Sequence, residues 1–343
     1  MAATVTKGTI VLTGANGGLG SAIAQQIAFT PEYASYHGIY TVRNSTTTSV
    51  FDSSTAHSHD VVSLDLSDLD SVRRTAEAIN IRVSTGQIPP IRALILNAGF
   101  MGFSKQFWNK DGLDVTFCVN YLGHWLLTLL LLKSMDKESG RIILISSQAH
   151  DPHDERNDQT KAFVDKKYQK ILPDRATFEA IAKGIWSSAH EDPSWRSGYR
   201  RYGASKLFLL MMMFELQQRM DQDPSLKNIC ILGVDPGTMS TGIQRHAPLI
   251  VRLVLFRIIV PLRAWWSPDG PVRTTQTSAM HVLRAAFGRD GALGAFPKAK
   301  YFYGKEVFET CGEANDAQER EWVWQESVRY TQLKEDETVL SIR

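Results

Sequence analysis

The segment TGANGGLG, residues 13–20, places four glycines between an apolar run and a helical pattern. The run GTIVLTG (8–14) has the composition of a buried strand, and LGSAIAQQIAF (19–29) has apolar residues at helical spacing. Glycines in such a unit permit positive φ and let a pyrophosphate approach the backbone, while the helix start offers free N–H groups. The unit therefore predicts a dinucleotide site, although a plain strand-to-helix turn stays open.

Apolar runs and helical patterns keep alternating along the rest of the chain. Further strands are predicted at 38–43, 60–66, 91–99, 141–147 and 228–237, and helices at 69–80, 112–135, 202–220 and 312–333. Strands that are apolar on both faces and separated by helices are typical of a parallel sheet covered on both sides. The predicted fold class is α/β.

One doubly wound Rossmann-type domain is expected to span residues 1–343. The stretch 148–201 breaks the alternation, being polar and containing three prolines, and is interpreted as an insertion with one or two short helices. Residues 240–305 are assigned to a substrate lobe, and 306–343 to a C-terminal helical tail.

The composition argues against several classes of protein. A formal net charge of +2 without a basic stripe argues against a nucleic-acid partner. The cysteines at 118, 230 and 311 are few and widely spaced, which predicts free thiols and a cytoplasmic protein. His150 and His153 lie in a polar stretch interpreted as a solvated loop, so no metal site is predicted.

Two apolar stretches raise the question of a membrane. The stretch 121–132 is too short to span a bilayer and indicates a buried helix. The stretch 247–266 is long enough but contains Arg252, Arg257 and Arg263, each costing about 2.5–3.5 kcal/mol at mid-bilayer. It is interpreted as a cover over the substrate pocket, with peripheral docking on a membrane surface left as the alternative.

The motif YGASK places Tyr202 and Lys206 on one face of a predicted helix, because positions i and i+4 are neighbours there. A free phenol has a pKa near 10 and is a poor acid or base at neutral pH. A nearby ammonium is expected to lower that pKa toward the working pH, which suits conversion between a carbonyl and an alcohol. A tyrosine beside an unrelated surface lysine is the alternative.

Two further polar positions accompany this pair. Ser146 and Ser147 end a predicted strand, and because side chains alternate only one of them is expected to face a given pocket. Asn120 lies inside the predicted long helix, where asparagine is unfavourable, and a satisfied core amide is the alternative to a functional role. His124 on the same helix is interpreted as a packing residue.

The glycine spacing 14, 18 and 20 behind Thr13, together with Tyr202-x-x-x-Lys206, resembles the short-chain dehydrogenase/reductase family. The resemblance covers roughly residues 8–245. It assigns catalytic roles to Asn120, Ser147, Tyr202 and Lys206, with Ser147 holding the substrate oxygen and Asn120 holding a water that links the lysine to solvent. The cofactor residues that it implies are Thr13, Gly14, Asn16, Gly18, Leu19, Gly20, Arg43, Asp65, Leu66, Asn97, Ala98, Gly99, Tyr202, Lys206, Pro236, Gly237, Thr238, Met239 and Thr241.

The residue after the second predicted strand indicates which nucleotide is used. NAD enzymes usually carry an acid there, which binds the ribose 2′-hydroxyl. Here the chain reads Val42-Arg43-Asn44, and an arginine can pair with a 2′-phosphate. NADP(H) is therefore the predicted cofactor.

Segments 117–132 and 141–150 resemble the retinol-dehydrogenase and protochlorophyllide-reductase branch of the family. That branch implies NADPH-dependent reduction of a lipophilic ketone to a secondary alcohol, in secondary-metabolite (polyketide or terpenoid) or steroid biosynthesis. The gap of more than fifty residues between Ser147 and Tyr202 departs from the family's usual dozen. The extra segment is expected to wall the pocket with Trp186, Trp195 and Tyr199.

Other interpretations stay open. The same residues would serve a retinol-dehydrogenase-like enzyme that oxidises a lipophilic alcohol. A cofactor-binding scaffold without turnover is the alternative of another class, and the four filled catalytic positions argue against it. Family members often form dimers through helices equivalent to 112–135 and 202–220, so the apolar run 207–214 fits either a core face or a homodimer interface.

Overall fold

A single sheet lies at the centre of the described chain. The structure is a computed structural model that describes residues 6–45, 50, 57–239 and 270–342. The strands are β1 (Thr9–Thr13), β2 (His37–Val42), β3 (His59–Ser63), β4 (Ile91–Leu96), β5 (Arg141–Ile145), β6 (Cys230–Asp235), β7 (Tyr301–Tyr303) and β8 (Glu306–Val307). Their order is β3-β2-β1-β4-β5-β6-β7-β8, with every neighbouring pair parallel except β7 and β8.

Helices cover both faces of this sheet. They are α1 (Gly18–Phe29), α2 (Pro31–Ala34), α3 (Leu69–Ser84), α4 (Val115–Ser134, with short π and 3₁₀ segments), α5 (Ala176–Ala182), α6 (Trp195–Gln222), α7 (Thr275–Phe287), α8 (Gly312–Asn315) and α9 (Ala317–Thr331). The strand order reverses direction between β1 and β4, as in doubly wound dinucleotide-binding sheets. The predicted α/β class with a parallel sheet is confirmed.

Two apolar cores lie on opposite faces of the sheet. One joins the β strands to α1 and α7 through residues such as Ile10, Ile23 and Val282. The other joins them to α3, α4 and α6 through residues such as Leu94 and Phe208. Apolar side chains on both faces of β1, β4 and β5 explain why these strands read as continuous hydrophobic runs.

The C-terminal helix α9 covers α4 and α6, the two helices considered above as a dimer face. Trp324 contacts Trp125 of α4 at 5.3 Å between ring centroids, and Arg219 of α6 lies 4.3 Å over the Trp324 ring. Tyr121 shares a 2.6 Å hydrogen bond with Ser327. The apolar run 207–214 is thus a core face within this chain.

Helix α4 is also, within the part of the chain that the structure describes, the one helix long and apolar enough to cross a membrane. Nearly all of it is buried inside the fold. This agrees with the interpretation of 121–132 as a buried helix. The stretch 247–266 lies outside the described residues.

Buried arginines hold the insertion 148–201 together, and Arg201 also attaches it to Asp114 outside the insertion. Arg200 donates to the Ser187 hydroxyl at 2.7 Å and to Asp192 at 2.5 Å, while Arg201 donates to the Ser187 carbonyl at 2.5 Å and lies 3.3 Å from Asp114. Buried charges of this kind are stable only when paired and hydrogen-bonded. The segment contains three 3₁₀ turns and α5, and α6 begins inside it, seven residues before Tyr202.

Candidate active site

A cavity of about 660 Å³ opens at the carboxyl ends of β1, β2, β4, β5 and β6. This is where doubly wound sheets bind ligands. The predicted residues that line it are Gly14, Asn16, Gly18, Leu19, Gly20, Arg43, Asp65, Leu66, Asn97, Ala98, Gly99, Ser147, Tyr202, Lys206, Pro236, Gly237, Thr238 and Met239. Thr13 and Asn120 do not line it, and Thr241 lies outside the described residues.

The glycines of the first turn bring two backbone segments into contact. Gly14 has a φ of 68°, a region that favours glycine. A Cβ on Gly20 would lie 2.1 Å from the Gly14 carbonyl oxygen and 2.7 Å from the Asn97 amide nitrogen. Helix α1 has neither a side-chain cap nor an acid in its first turn. Its free N–H groups and positive dipole end therefore suit a phosphate, and the residues present fit a dinucleotide.

Thr13 was expected to contact the cofactor and instead lies beneath the cradle, fully buried. Its hydroxyl oxygen accepts from the backbone N–H groups of Asn97 at 2.9 Å and Ala98 at 3.0 Å. The Asn97 side chain donates in turn to the Thr13 carbonyl at 2.8 Å. The Thr13 hydroxyl is therefore hydrogen-bonded inside the fold, where it connects the end of β1 to the end of β4.

Tyr202 and Lys206 stand together in the deepest part of the cavity. The Lys206 ammonium lies 5.4 Å from the centre of the Tyr202 ring and donates to the Ile145 carbonyl at 2.7 Å. Burial lowers the pKa of Lys206 to about 7, and the negative charge of Asp235 opposes that shift. The lysine can therefore exchange a proton near neutral pH.

The expectation for Tyr202 itself was wrong in direction. Burial raises the pKa of Tyr202 above its usual value, the charge of Asp235 raises it further, and a hydrogen bond with Ser147 acts in the opposite sense. A neighbouring ammonium by itself would lower the pKa of the phenol. In the structure, desolvation of the phenolate and the carboxylate at the end of β6 together dominate.

The two serines after β5 differ in exposure as the alternation along a strand requires. Both serines line the cavity, but Ser146 is 1% exposed, whereas Ser147 is partly exposed. The Ser147 oxygen also accepts from the Ala149 N–H at 3.3 Å. Ser147 is thus the more accessible of the two serines in the cavity that Tyr202 also lines.

Asn120 supports the catalytic helix instead of lining the cavity. Its side-chain oxygen accepts from the Phe100 N–H at 2.7 Å, and its amide donates to the Phe100 carbonyl and the Ser205 hydroxyl, both at 2.9 Å. Ser205 in turn donates to the Tyr202 carbonyl at 2.6 Å. Both amide N–H groups are bonded inside the fold, so these contacts are those of a positioning residue, and the water that the resemblance implies stays a prediction.

Asn120 lies in a π turn formed by Cys118–Leu122. His124 follows this turn on α4 and was predicted to be a packing residue. The His124 Nδ1 lies 3.2 Å from the Asn120 carbonyl, and Nε2 lies 2.9 Å from the Thr13 hydroxyl. Burial lowers the pKa of His124 to about 3, so the ring is neutral. Nδ1–H therefore donates to the carbonyl and Nε2 accepts from Thr13, which links α4 to β1.

The insertion contributes an aromatic wall beside Tyr202. Tyr199 stacks on Tyr202 with 6.5 Å between ring centroids, and Trp195 meets Tyr199 edge-on at 5.8 Å. Phe103 completes this side from a loop that touches α6 at Gly198, where a Cβ would lie 2.0 Å from the Phe103 carbonyl oxygen.

Two expectations for the insertion are corrected. Trp186 does not line the cavity: it is buried against Tyr168, with 5.3 Å between ring centroids. His150 is not in a solvated loop but is 1% exposed, and its Nδ1 lies 2.7 Å from the Ser147 carbonyl. Within the described ranges no cluster of side chains is suited to a metal ion.

Arg43 and Asp65 lie at the other end of the cavity. Arg43 follows β2 and is exposed, and its carbonyl accepts from Ser63 at 2.9 Å. The Asp65 carboxylate accepts from the backbone and hydroxyl of Ser67 at 2.9 and 2.6 Å. This end therefore presents one cation and one carboxylate that is held in a local turn.

A glycine cradle at an uncapped helix start, with a Ser–Tyr–Lys group at the far end of the same cavity, defines a Rossmann-type oxidoreductase that uses a nicotinamide dinucleotide. Comparison with known proteins identifies the family. The short chain dehydrogenase family model matches residues 8–156. The chain is 41% identical to the short-chain dehydrogenase iccH of Talaromyces variabilis over 97% of this chain and 98% of that protein. The protein belongs to the short-chain dehydrogenase/reductase family.

The predicted resemblance to protochlorophyllide reductases is confirmed at lower identity. The chloroplast protochlorophyllide reductase of Daucus carota is 26% identical over 96% of this chain and 79% of its own length. Among solved structures, an uncharacterized protein of Mycobacterium paratuberculosis has a TM-score of 0.59 at 24% identity, covering 96% of this chain and 95% of its own. A blue fluorescent protein from a metagenomic library in complex with NADPH has a TM-score of 0.52 at 17% identity, covering 88% and 99% of the two chains. These structural likenesses show the fold.

Proposed function

We propose that this protein reduces a lipophilic, ring-bearing ketone to a secondary alcohol with NADPH. The observation that carries the proposal is the single cavity that joins Arg43, the glycine cradle, the Ser147–Tyr202–Lys206 group and an aromatic wall. Oxidation of NADPH in the presence of a panel of aromatic and alicyclic ketones tests it. Absence of turnover on every ketone, with NADPH bound, would favour a scaffold instead.

Ser147, Tyr202 and Lys206 have different roles in the proposed reaction. When bound, the nicotinamide supplies a hydride to the carbonyl carbon. Ser147 donates a hydrogen bond to the carbonyl oxygen and holds it against Tyr202. Tyr202 gives its phenolic proton to that oxygen, and Lys206, with its pKa of about 7, helps to return a proton to the phenol.

The protonation state of Tyr202 suits the role of proton donor in the proposed reduction. A phenol whose pKa is raised stays protonated at neutral pH and is ready to act as an acid.

The preference for NADPH rests on Arg43, the cation beside the adenosine end of the cavity. Replacement of Arg43 by Ala is expected to weaken the binding of NADPH about tenfold relative to that of NADH. This is less than a buried charge-assisted hydrogen bond contributes, because Arg43 is exposed to solvent. Dissociation constants for both cofactors, measured by nucleotide fluorescence, check this. Arg74→Ala removes an arginine of α3 outside the cavity and should leave the ratio unchanged. A wild-type preference for NADH, or an equal loss for both cofactors, would contradict the assignment.

The preference for a ring-bearing ketone rests on the aromatic wall. Replacement of Trp195 by Ala is expected to raise KM for cyclic ketones by about tenfold, because it removes apolar area and an aromatic contact. KM for a small acyclic ketone should change little. Trp108→Ala is the matched control, since Trp108 is 54% exposed and outside the cavity. Equal changes in KM for both ketones would count against the wall as a specificity element.

A further inference from the structure

Arg156 of the insertion reaches the carboxyl end of β6. It lies in the 3₁₀ turn Glu155–Thr160, far from the strand in sequence, and its Nη1 donates to Asp235 at 3.2 Å. Its Nε and Nη2 are held by Asp154 at 2.9 and 2.5 Å. The guanidinium also lies 4.5 Å over the Tyr303 ring, which fixes its plane. Several contacts therefore hold the Arg156 guanidinium in place, and its hydrogen bond with Asp235 is an ordered part of the structure.

Asp235 is the acid at the catalytic end of the cavity. Among the described lining residues the acids are Asp65, at the adenosine end, and Asp235. The Asp235 side chain is 5% exposed, and its second oxygen accepts from the Gly237 N–H at 2.9 Å. Its negative charge acts on both Tyr202 and Lys206. A carboxylate this buried needs a compensating cation.

We propose that Arg156 is a positioning residue that compensates the charge of Asp235 and thereby sets, from within the insertion, the proton affinity of Tyr202 and Lys206. This inference extends the proposed function. Only the effect that it expects on turnover rests on that function. It gives the insertion a second role beside that of wall. The ketone and the cofactor need not touch Arg156.

Other ionisable groups face this centre from the elements packed around it. His124 of α4 is neutral because burial lowers its pKa to about 3. Burial raises the pKa of Tyr199 on α6 and of Tyr301 on β7, so both stay neutral near pH 7. Burial also lowers the pKa of His150, which keeps that ring neutral there.

The charged side chains near this centre include Asp154, Arg156, Asp235 and the buried Arg273, whose guanidinium lies 4.3 Å over the same Tyr303 ring. Burial opposes ionisation of Asp154 and of Arg156, but their mutual hydrogen bonds lower the pKa of Asp154 and raise that of Arg156. Both are therefore charged at neutral pH. Removal of Arg156 takes away the cation that is hydrogen-bonded to Asp235, whereas removal of the Asp235 charge leaves the Asp154–Arg156 pair intact.

The expected signs follow directly. Arg156→Met removes the cation bonded to Asp235, which favours the Lys206 ammonium and raises the Lys206 pKa by about one unit. Asp235→Asn removes the attraction and lowers that pKa, while the amide oxygen can still accept from Gly237. Arg156→Lys keeps the charge and should leave the Lys206 pKa close to that of the wild type. The double variant Arg156→Met/Asp235→Asn should fall between the single variants.

The experiment is an NMR titration of the cofactor-free full-length chain labelled with ¹³Cε-lysine. The Lys206 resonance is assigned by its loss in Lys206→Met, and its pKa is read in each variant. Arg175→Met is the matched control: Arg175 also joins the insertion to another element, through Glu326 at 2.8 Å, but outside the cavity, and should not shift Lys206. Opposite shifts in Arg156→Met and Asp235→Asn support the proposal. Shifts of the same sign, or none, overturn it.

The pH profile of kcat then separates this proposal from the proposed function. In Arg156→Met the loss of ketone reduction at high pH should begin at a higher pH, because the Tyr202 proton is held more tightly. Expected Lys206 shifts in a protein that reduces no ketone would leave the positioning role standing and the proposed reaction refuted. Ketone reduction without the expected Lys206 shifts would support the proposed reaction and refute the positioning role of Arg156.

Discussion

Replacement of Tyr202 by Phe is expected to lower kcat by about 10²–10⁴-fold, the usual contribution of a positioned acid. The change removes one oxygen from a ring that is held by its stacking on Tyr199 and by its place on α6. Among the described residues no backbone group is hydrogen-bonded to that oxygen, so the helix and cavity should persist. NADPH affinity, measured by nucleotide fluorescence, should stay within a few fold of the wild type.

Tyr199→Phe is the matched control for this result. Tyr199 lies one turn earlier on the same helix, and its hydroxyl donates to Asn157 at 2.7 Å, away from the Tyr202 oxygen. Loss of one such hydrogen bond is worth about 1 kcal/mol, so turnover should fall by less than tenfold. Full turnover in Tyr202→Phe would refute the proton-donor role. An equal loss in both variants would point to disturbance of the aromatic wall instead.

The sequence was sufficient to predict the sheet, the cradle and the Tyr202–Lys206 pair, because each is carried by a local pattern. Continuous apolar runs identify parallel strands, four glycines mark a tight turn, and a spacing of four places two side chains on one helix face. By contrast, β7 has three residues and β8 two, too few for any periodicity. The predicted start of α6 at 202 was seven residues late, since the first turns carry polar residues that pack on the insertion.

What the sequence could not supply was the environment of each group. The Tyr202 pKa was expected to fall and instead rises, because desolvation and the Asp235 charge come from elements distant in sequence. Thr13 and Asn120 were assigned to cofactor and catalysis by resemblance. In the structure both have their polar atoms bonded to backbone groups of other elements. A composition that looks polar, as around His150, also gave no sign that the residue is buried.

The roles of the remaining site residues stay predictions. Seventeen of the residues assigned to the cofactor line one cavity, as they must if they bind the same ligand. Their position on the cavity wall does not by itself show what each residue does. Arg156 and Asp235 had no motif to mark them, since one lies in an unusual insertion and the other before a common Pro-Gly turn. Only the fold brings their charges to the same place.

Replacement of Gly20 by Ala is expected to weaken NADPH about 10- to 100-fold, in line with overpacking costs of about 1–3 kcal/mol. The added Cβ would lie 2.1 Å from the Gly14 carbonyl oxygen and 2.7 Å from the Asn97 amide nitrogen. Neither atom can yield cheaply. The first is backbone at a φ of 68°, and the second donates to the Thr13 carbonyl at 2.8 Å. The strain is therefore relieved by moving the start of α1 away from the turn, which withdraws its N–H groups from the phosphate position.

Gly17→Ala provides the comparison within the same turn, because its Cβ would lie 3.3 Å from the same carbonyl oxygen and needs a shift of only a few tenths of an ångström. Its NADPH affinity should stay within a few fold of the wild type. Nucleotide fluorescence gives both constants, and circular dichroism at the same temperature verifies that each variant is folded. If the two alanines weaken NADPH equally, close contact at Gly20 is not what shapes the cradle. If Gly20→Ala binds like the wild type, the uncapped start of α1 does not hold the pyrophosphate.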